Sequence, residues 1–277
     1  MKKDNDFFKE KFNLFKQKSK PISMITCYDF PSALMVEKTG LDIALVGDSL
    51  GTNVLGYSSE KDVTISDMIH HTKAVYRGLK LTSLVADLSY GTYVNKKDLL
   101  ENSLLLIQAG ADAVKFEGFY PDYVFELISN NIDVVCHLGL LPQTHQKKAL
   151  QANSYESAKV LIENALNLES AGAAMLVLEL VPEEISKLVR DLLTIPVIGI
   201  AAGRFCDGQV QIWHDVLGFS KKYYKHIKNY EDLDSTCLNA LKNYVTDISA
   251  NKLLEFEHSF HVDEAIVNDL KNTFKLD

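Results

Sequence analysis

One pattern runs along this chain from residue 23 to residue 213. Short apolar runs rich in Val, Ile, Leu and Ala alternate with longer amphipathic stretches. Strand-like runs fall at 23–28, 42–47, 82–87, 112–117, 133–137, 174–179, 196–200 and 209–213, and nearly all are followed by a helical pattern. Helices are expected at 31–39, 64–77, 98–109, 121–129, 155–171 and 182–192. Pro31, Pro121 and Pro182 open three of them, and Gly40, Gly78, Gly110 and Gly172 close four. The runs are apolar throughout rather than half polar, which is how parallel strands read when both faces are buried. Eight strand–helix units in roughly 250 residues match a (β/α)8 TIM barrel. An open doubly wound sheet usually has fewer strands and often a glycine fingerprint in its first turn, which is missing here. No Pro-, Gly- or Ser-rich linker divides the chain. The expectation is a single barrel domain over residues 1–277, with an N-terminal helix and a C-terminal helical tail.

Composition narrows the partners. A chain of 277 residues can bury a large core without disulfides. Acidic residues number 37 against 29 basic ones, and a net charge of −8 disfavours nucleic acid. No stretch approaches the roughly 18 apolar residues of a membrane span. The opening MKKDNDFFKEKFNLFKQKSK lacks the apolar core of a secretory signal. Cys27, Cys136, Cys206 and Cys237 are widely spaced, with no CxxC pair. That usage fits a reducing, cytoplasmic setting.

In a barrel, chemistry belongs where strands run into the loops that follow them. Polar residues gather at those positions: Asp48 and Ser49, Asp87 and Ser89, Lys115 and Glu117, His137, and Glu179. Side chains alternate along a strand, so Lys115 and Glu117 share a face, and with Val114 and Phe116 toward the helices they point at the axis. Buried charges are costly unless paired or bound to a cation. Three hard oxygen donors from adjacent strands, Asp48, Asp87 and Glu117, suit Mg²⁺. The plainer alternative is helix capping or pairing with lysine. Lys115 either holds an anionic substrate or neutralises Glu117, and that carboxylate weakens a Schiff-base role. His137 ends an apolar strand, where a lone histidine is often a core residue bonded to backbone. Glu179 ends the run Met-Leu-Val-Leu, as a proton-transfer group or a structural ion pair. His70 and His71 are adjacent on a helix and make a poor metal pair.

The segments MITCYD, LVGDSLG, HTKAVYRG, VADLSYGTY, AGADAVKFEG, CHLGLLPQ, LVLELVP, IPVIGIAAG, DGQVQIWHD and EHSFH extend over residues 20–261. In order and spacing they resemble the ketopantoate hydroxymethyltransferase (3-methyl-2-oxobutanoate hydroxymethyltransferase) family. The resemblance implies a barrel of the phosphoenolpyruvate/pyruvate superfamily. It implies transfer of a hydroxymethyl group from 5,10-methylenetetrahydrofolate to 3-methyl-2-oxobutanoate, giving 2-dehydropantoate in pantothenate and coenzyme A biosynthesis. It further implies Mg²⁺ on Asp48 and Asp87, assisted by Glu117, and ketoacid contacts from Ser49, Lys115 and His137 beside the two metal carboxylates. Glu179 becomes the base. The family's partners are these small molecules and its own copies, as a large homo-oligomer, a decamer.

Two segments depart from the family pattern. THQKKALQANSYESA after Gln143 is short and lacks paired glycines, and Ala201–Gly203 reads AAG where GAG is usual. Other chemistries open to such a barrel are a Mg²⁺-dependent carbon–carbon lyase acting on a 2-oxoacid and a non-catalytic ligand-binding barrel. No KKCGH-like loop of the lyases occurs here.

Overall fold

The computed structural model of the chain describes residues 7–144, 149–220 and 224–276. Eight strands close into a parallel barrel in sequence order, the last pairing with the first. They are β1 (Ile22–Thr26), β2 (Ile43–Val46), β3 (Ser83–Asp87), β4 (Ala113–Glu117), β5 (Asp133–Gly139), β6 (Met175–Glu179), β7 (Val197–Ile200) and β8 (Gly208–Gln211). Outside them lie α2 (Phe30–Thr39), α3 (Ile65–Tyr76), α4 (Lys96–Gln108), α5 (Pro121–Ser129), α6 (Tyr155–Ser170) and α7 (Glu183–Leu192). An N-terminal α1 (Phe7–Gln17) precedes the barrel; α8 (Trp213–Val216), α9 (Leu233–Ser249) and α10 (Glu264–Phe274) follow it.

Local chemistry sets the helix ends. The Asp29 carboxylate accepts from the Ser32 backbone N–H at 2.7 Å and starts α2 beside Pro31. Thr64 and Asp67 form a reciprocal box at the start of α3. The helix expected at 98–109 begins at Lys96 instead, because the Asn95 side chain accepts from the Asp98 N–H. The last strand is also corrected: it stops at Gln211 instead of reaching 213. The Trp213 N–H donates to Thr26 Oγ1 at 2.9 Å, which turns the chain off the sheet and into α8. Between β7 and β8 there is no helix. Asp207 folds that short connection back, its carboxylate accepting from the Val197 N–H at 2.8 Å.

Two apolar layers hold the barrel. Outward-facing strand residues such as Val114, Phe116, Val134 and Cys136 pack under the helices. Inward-facing Met24, Leu45, Val85, Ala113, Val135, Val177 and Val210 fill the interior, and Phe8 and Phe12 of α1 join this inner cluster. Lys16 fastens α1 through bonds to Asp207 Oδ2 at 3.0 Å and to the Arg190 and Ile195 carbonyls at 2.9 Å. All four cysteines are free, Cys27 and Cys136 deep in the core. No helix among the described residues is long and apolar enough to cross a membrane.

Candidate active site at the C-terminal strand ends

The strand pleat sorts the barrel interior into layers. Val85, Ala113, Val135 and Val177 belong to the apolar filling. Two residues further along the same strands, on the same face, stand Asp87, Lys115, His137 and Glu179, and β4 adds Glu117 above Lys115. Register makes them neighbours: Asp87 lies opposite Lys115, and Glu117 opposite His137. Together with Thr26, Asp48 and Ser49 they line a cavity of about 110 Å³. At Gly139, opposite Glu179 at the end of β5, an added Cβ would sit 2.3 Å from the Glu179 carbonyl, so only glycine lets β5 and β6 approach this closely at the site.

The contacts are specific. Lys115 Nζ lies 2.9 Å from Asp87 Oδ1, with both side chains almost wholly enclosed. The Asp48 backbone N–H donates to Asp87 Oδ2 at 3.2 Å. The Ser49 hydroxyl meets the Tyr28 hydroxyl at 2.9 Å. His137 stands between two carboxylates, its Nδ1 at 3.6 Å from Glu117 Oε1 and its Nε2 at 3.4 Å from Glu179 Oε2. Neither ring nitrogen has a hydrogen-bond partner, although the residue is only 3 % exposed. Such orphaned polar atoms beside a cavity are what a bound polar ligand or water would satisfy. Among Asp48, Asp87, Lys115, Glu117, His137 and Glu179, the Glu179 side chain is the most open, at 19 % exposure.

Burial dominates the electrostatics. It pushes Asp48 up to about 7, helped by the Asp87 charge and opposed by Lys115 and the Gln143 amide. Glu117 is likewise pushed up to about 7 by burial, against the pull of His137 and Lys115. Burial alone would lower Lys115, but the carboxylates of Asp87, Glu117 and Asp48 more than offset it and hold the ammonium firmly protonated. A lysine so held is a poor amine nucleophile and a good anion anchor.

The three carboxylates are not equivalent. The Asp48 backbone N–H bonds to the Asp87 carboxylate, whereas Glu117 is connected to the Asp48 carboxylate through Gln143. No group of three or more His, Cys, Asp and Glu side chains among the described residues is gathered like a self-sufficient metal cage. Magnesium does not require one: it commonly takes one or two carboxylates and fills its octahedron with water and substrate oxygens. The pair Asp48 and Asp87, hard oxygen donors at the mouth of a small cavity, fits that habit. Glu117 accepts from the Gln143 backbone N–H at 3.0 Å instead of contacting that pair.

Sequence reasoning missed three residues. Tyr28 and Gln143 lie within the quoted segments MITCYD and CHLGLLPQ, each just after a strand end, which was the available signal. Tyr93 lies in the loop after β3, and its hydroxyl donates to Gln143 Oε1. His71 is occupied elsewhere, with Nδ1 at 2.6 Å from the Tyr28 carbonyl, and pairs with no metal-ligand set. Ser89 is fully buried with its hydroxyl unpartnered. Of the altered loop after Gln143, residues 145–148 lie outside the described residues. Ala201 of the AAG segment adopts a left-handed backbone, φ 52°.

Comparison with known proteins places this geometry in context. Residues 8–253 match the family described as ketopantoate hydroxymethyltransferase. The 3-methyl-2-oxobutanoate hydroxymethyltransferase of Bacillus velezensis is 45% identical, over 98% of this chain and 99% of its own. Among solved structures, phosphonopyruvate hydrolase in complex with oxalate and Mg²⁺ superposes with a TM-score of 0.61 at 9% identity, covering 97% of this chain and 96% of that one. The 2,3-dimethylmalate lyase, a PEP mutase/isocitrate lyase superfamily member, gives 0.58 at 14% identity, covering 96% and 99%. These two likenesses show the barrel fold.

Proposed function

The chain belongs to the ketopantoate hydroxymethyltransferase family, and from that premise we propose a mechanism and a role for each side chain in the cavity. The reaction moves a hydroxymethyl group from 5,10-methylenetetrahydrofolate to 3-methyl-2-oxobutanoate and yields 2-dehydropantoate, a step of pantothenate biosynthesis. The observation that carries the reading is the single charged layer in which a protonated Lys115, the Asp48–Asp87 pair and Glu179 surround one small cavity.

Asp48 and Asp87 would hold Mg²⁺, with Glu117 supporting from behind. The metal, when bound, supplies a Lewis acid that stabilises negative charge developing on the 2-oxo group. A Mg²⁺ ion in the phosphonopyruvate hydrolase structure of the same fold supports this choice of metal. Lys115 and Ser49 orient the ketoacid carboxylate, and the Tyr28 hydroxyl fixes the Ser49 rotor. His137 donates to the substrate from a ring nitrogen that has no protein partner. Glu179 is placed to accept the C3 proton, so that C3 would bond to the one-carbon unit the folate supplies; water would then break the remaining carbon–nitrogen bond, its hydroxyl going to the carbon and its proton to the amine. The more open Glu179 suits a base that must meet substrate and then return its proton to solvent.

The protein is further proposed to be cytoplasmic and to assemble with its own copies. Its four free cysteines agree with a reducing compartment. No residue of α9 or α10 is buried. Leu238, Leu241, Val245 and Ile248 stand exposed at three- and four-residue spacing along α9. An apolar stripe of this kind marks an interface.

The test is formation of 2-dehydropantoate from the two substrates with Mg²⁺, for the wild type and for Lys115→Met. We expect turnover in the wild type and a rise in KM for the ketoacid with loss of turnover in the variant. A wild type that binds both substrates yet forms no product contradicts the assignment.

A further inference from the structure

Gln143 is 1 % exposed and lies in the loop after β5, not on a strand. It makes four hydrogen bonds, and two of them end on carboxylates assigned above to the metal. Its Nε2 donates to Asp48 Oδ2 at 2.8 Å and to the Leu88 carbonyl at 3.0 Å. Its backbone N–H donates to Glu117 Oε2 at 3.0 Å. Its Oε1 accepts from the Tyr93 hydroxyl. Only one amide orientation satisfies this network: flipped, the oxygen would face a carboxylate and a carbonyl, and the NH₂ would meet the hydroxyl. Tyr93 therefore locks the amide, and the amide locks Asp48.

We propose that Gln143, held by Tyr93, is the positioning residue of the metal site, setting the ligand carboxylate of Asp48 through its side chain and the supporting carboxylate of Glu117 through its backbone. This rests on the reading of the cavity as a magnesium site. Asp48 follows β2 and Glu117 ends β4, so nothing in the sheet register ties them together. A carboxylate with one oxygen fixed loses its rotational freedom and presents the other oxygen in one direction. The ordering is done by the fold before the ion arrives, and partners of this kind typically contribute ten- to a hundredfold to metal affinity. The bond from Tyr93 extends the chain to the loop after β3, so three strand-end loops (after β2, β3 and β5) meet at this amide.

The test is Mn²⁺ binding to the full-length protein without substrate, by electron paramagnetic resonance, with thermal unfolding of the metal-free proteins alongside. Gln143→Met keeps the side-chain length and the backbone bond to Glu117 but removes the amide. We expect its Mn²⁺ affinity to fall ten- to a hundredfold. Tyr93→Phe should lose less, and adding it to Gln143→Met should lose nothing more, because both act through one amide. A purely structural role would lower the unfolding midpoint of both variants and leave Mn²⁺ affinity within twofold of wild type, which overturns the proposal. If Gln143→Met does not fold, a Tyr93→Phe variant with unchanged affinity overturns it equally. Failure of the wild type itself to bind Mn²⁺ removes the magnesium reading, and this inference with it.

Discussion

At the scale of single residues, burial decides protonation, and protonation decides what the site can bind. Asp48 and Glu117 sit near 7 in the folded chain, against ordinary values near 4. Between about pH 4 and 7 the metal-free fold therefore holds protons that the unfolded chain has released. By linkage, its stability falls as pH rises through that window. Mg²⁺ binds the deprotonated carboxylates, so the predicted rise in unfolding temperature on adding Mg²⁺ is larger at pH 8 than at pH 6. Thermal melts at the two pH values, with and without the ion, check both signs. The left-handed backbone at Ala201 gives a second prediction. A Cβ there costs roughly 1–2 kcal/mol, part of which glycine gives back as unfolded-chain entropy. Ala201→Gly should stabilise by up to about 1 kcal/mol in chemical denaturation. The charged layer was legible from the sequence because strand ends can be located and side chains alternate. Tyr28, Tyr93 and Gln143 were not: loop residues carry no periodicity, and their partners lie 21, 50 and 95 positions away.

At the scale of elements, the alternation of apolar runs and capped helices made the barrel readable, and only boundaries moved. Two of those shifts trace to single side chains, Asn95 at the start of α4 and Thr26 at the end of β8. The role of α1 was less accessible. Its pattern shows an amphipathic helix, but nothing local says that Phe8 and Phe12 join the inner barrel cluster rather than the outer helix layer. The two rings meet edge to face at 4.8 Å, and Phe12 is wholly buried. Removing a buried phenylalanine ring typically costs 3–5 kcal/mol. Phe12→Ala should lose about that much stability by denaturant titration. Loss of less than about 1 kcal/mol would mean that α1 is not part of the cooperative core.

At the scale of the whole molecule, the barrel is self-contained in its burial and the C-terminal helices are not. If α9 carries the proposed interface, Leu241→Asp together with Val245→Asp should leave only smaller species than wild type in sedimentation, with the barrel still folded. The central claim is that this cavity, with its metal, takes a proton from C3 of a 2-oxoacid through Glu179. The direct test is to incubate the protein with Mg²⁺ and 3-methyl-2-oxobutanoate in D₂O, without folate, and follow the C3 proton by NMR. The account predicts Mg²⁺-dependent exchange for deuterium, abolished in Glu179→Gln although that variant still binds Mn²⁺. Undiminished exchange in Glu179→Gln, or none in the metal-loaded wild type, would contradict it.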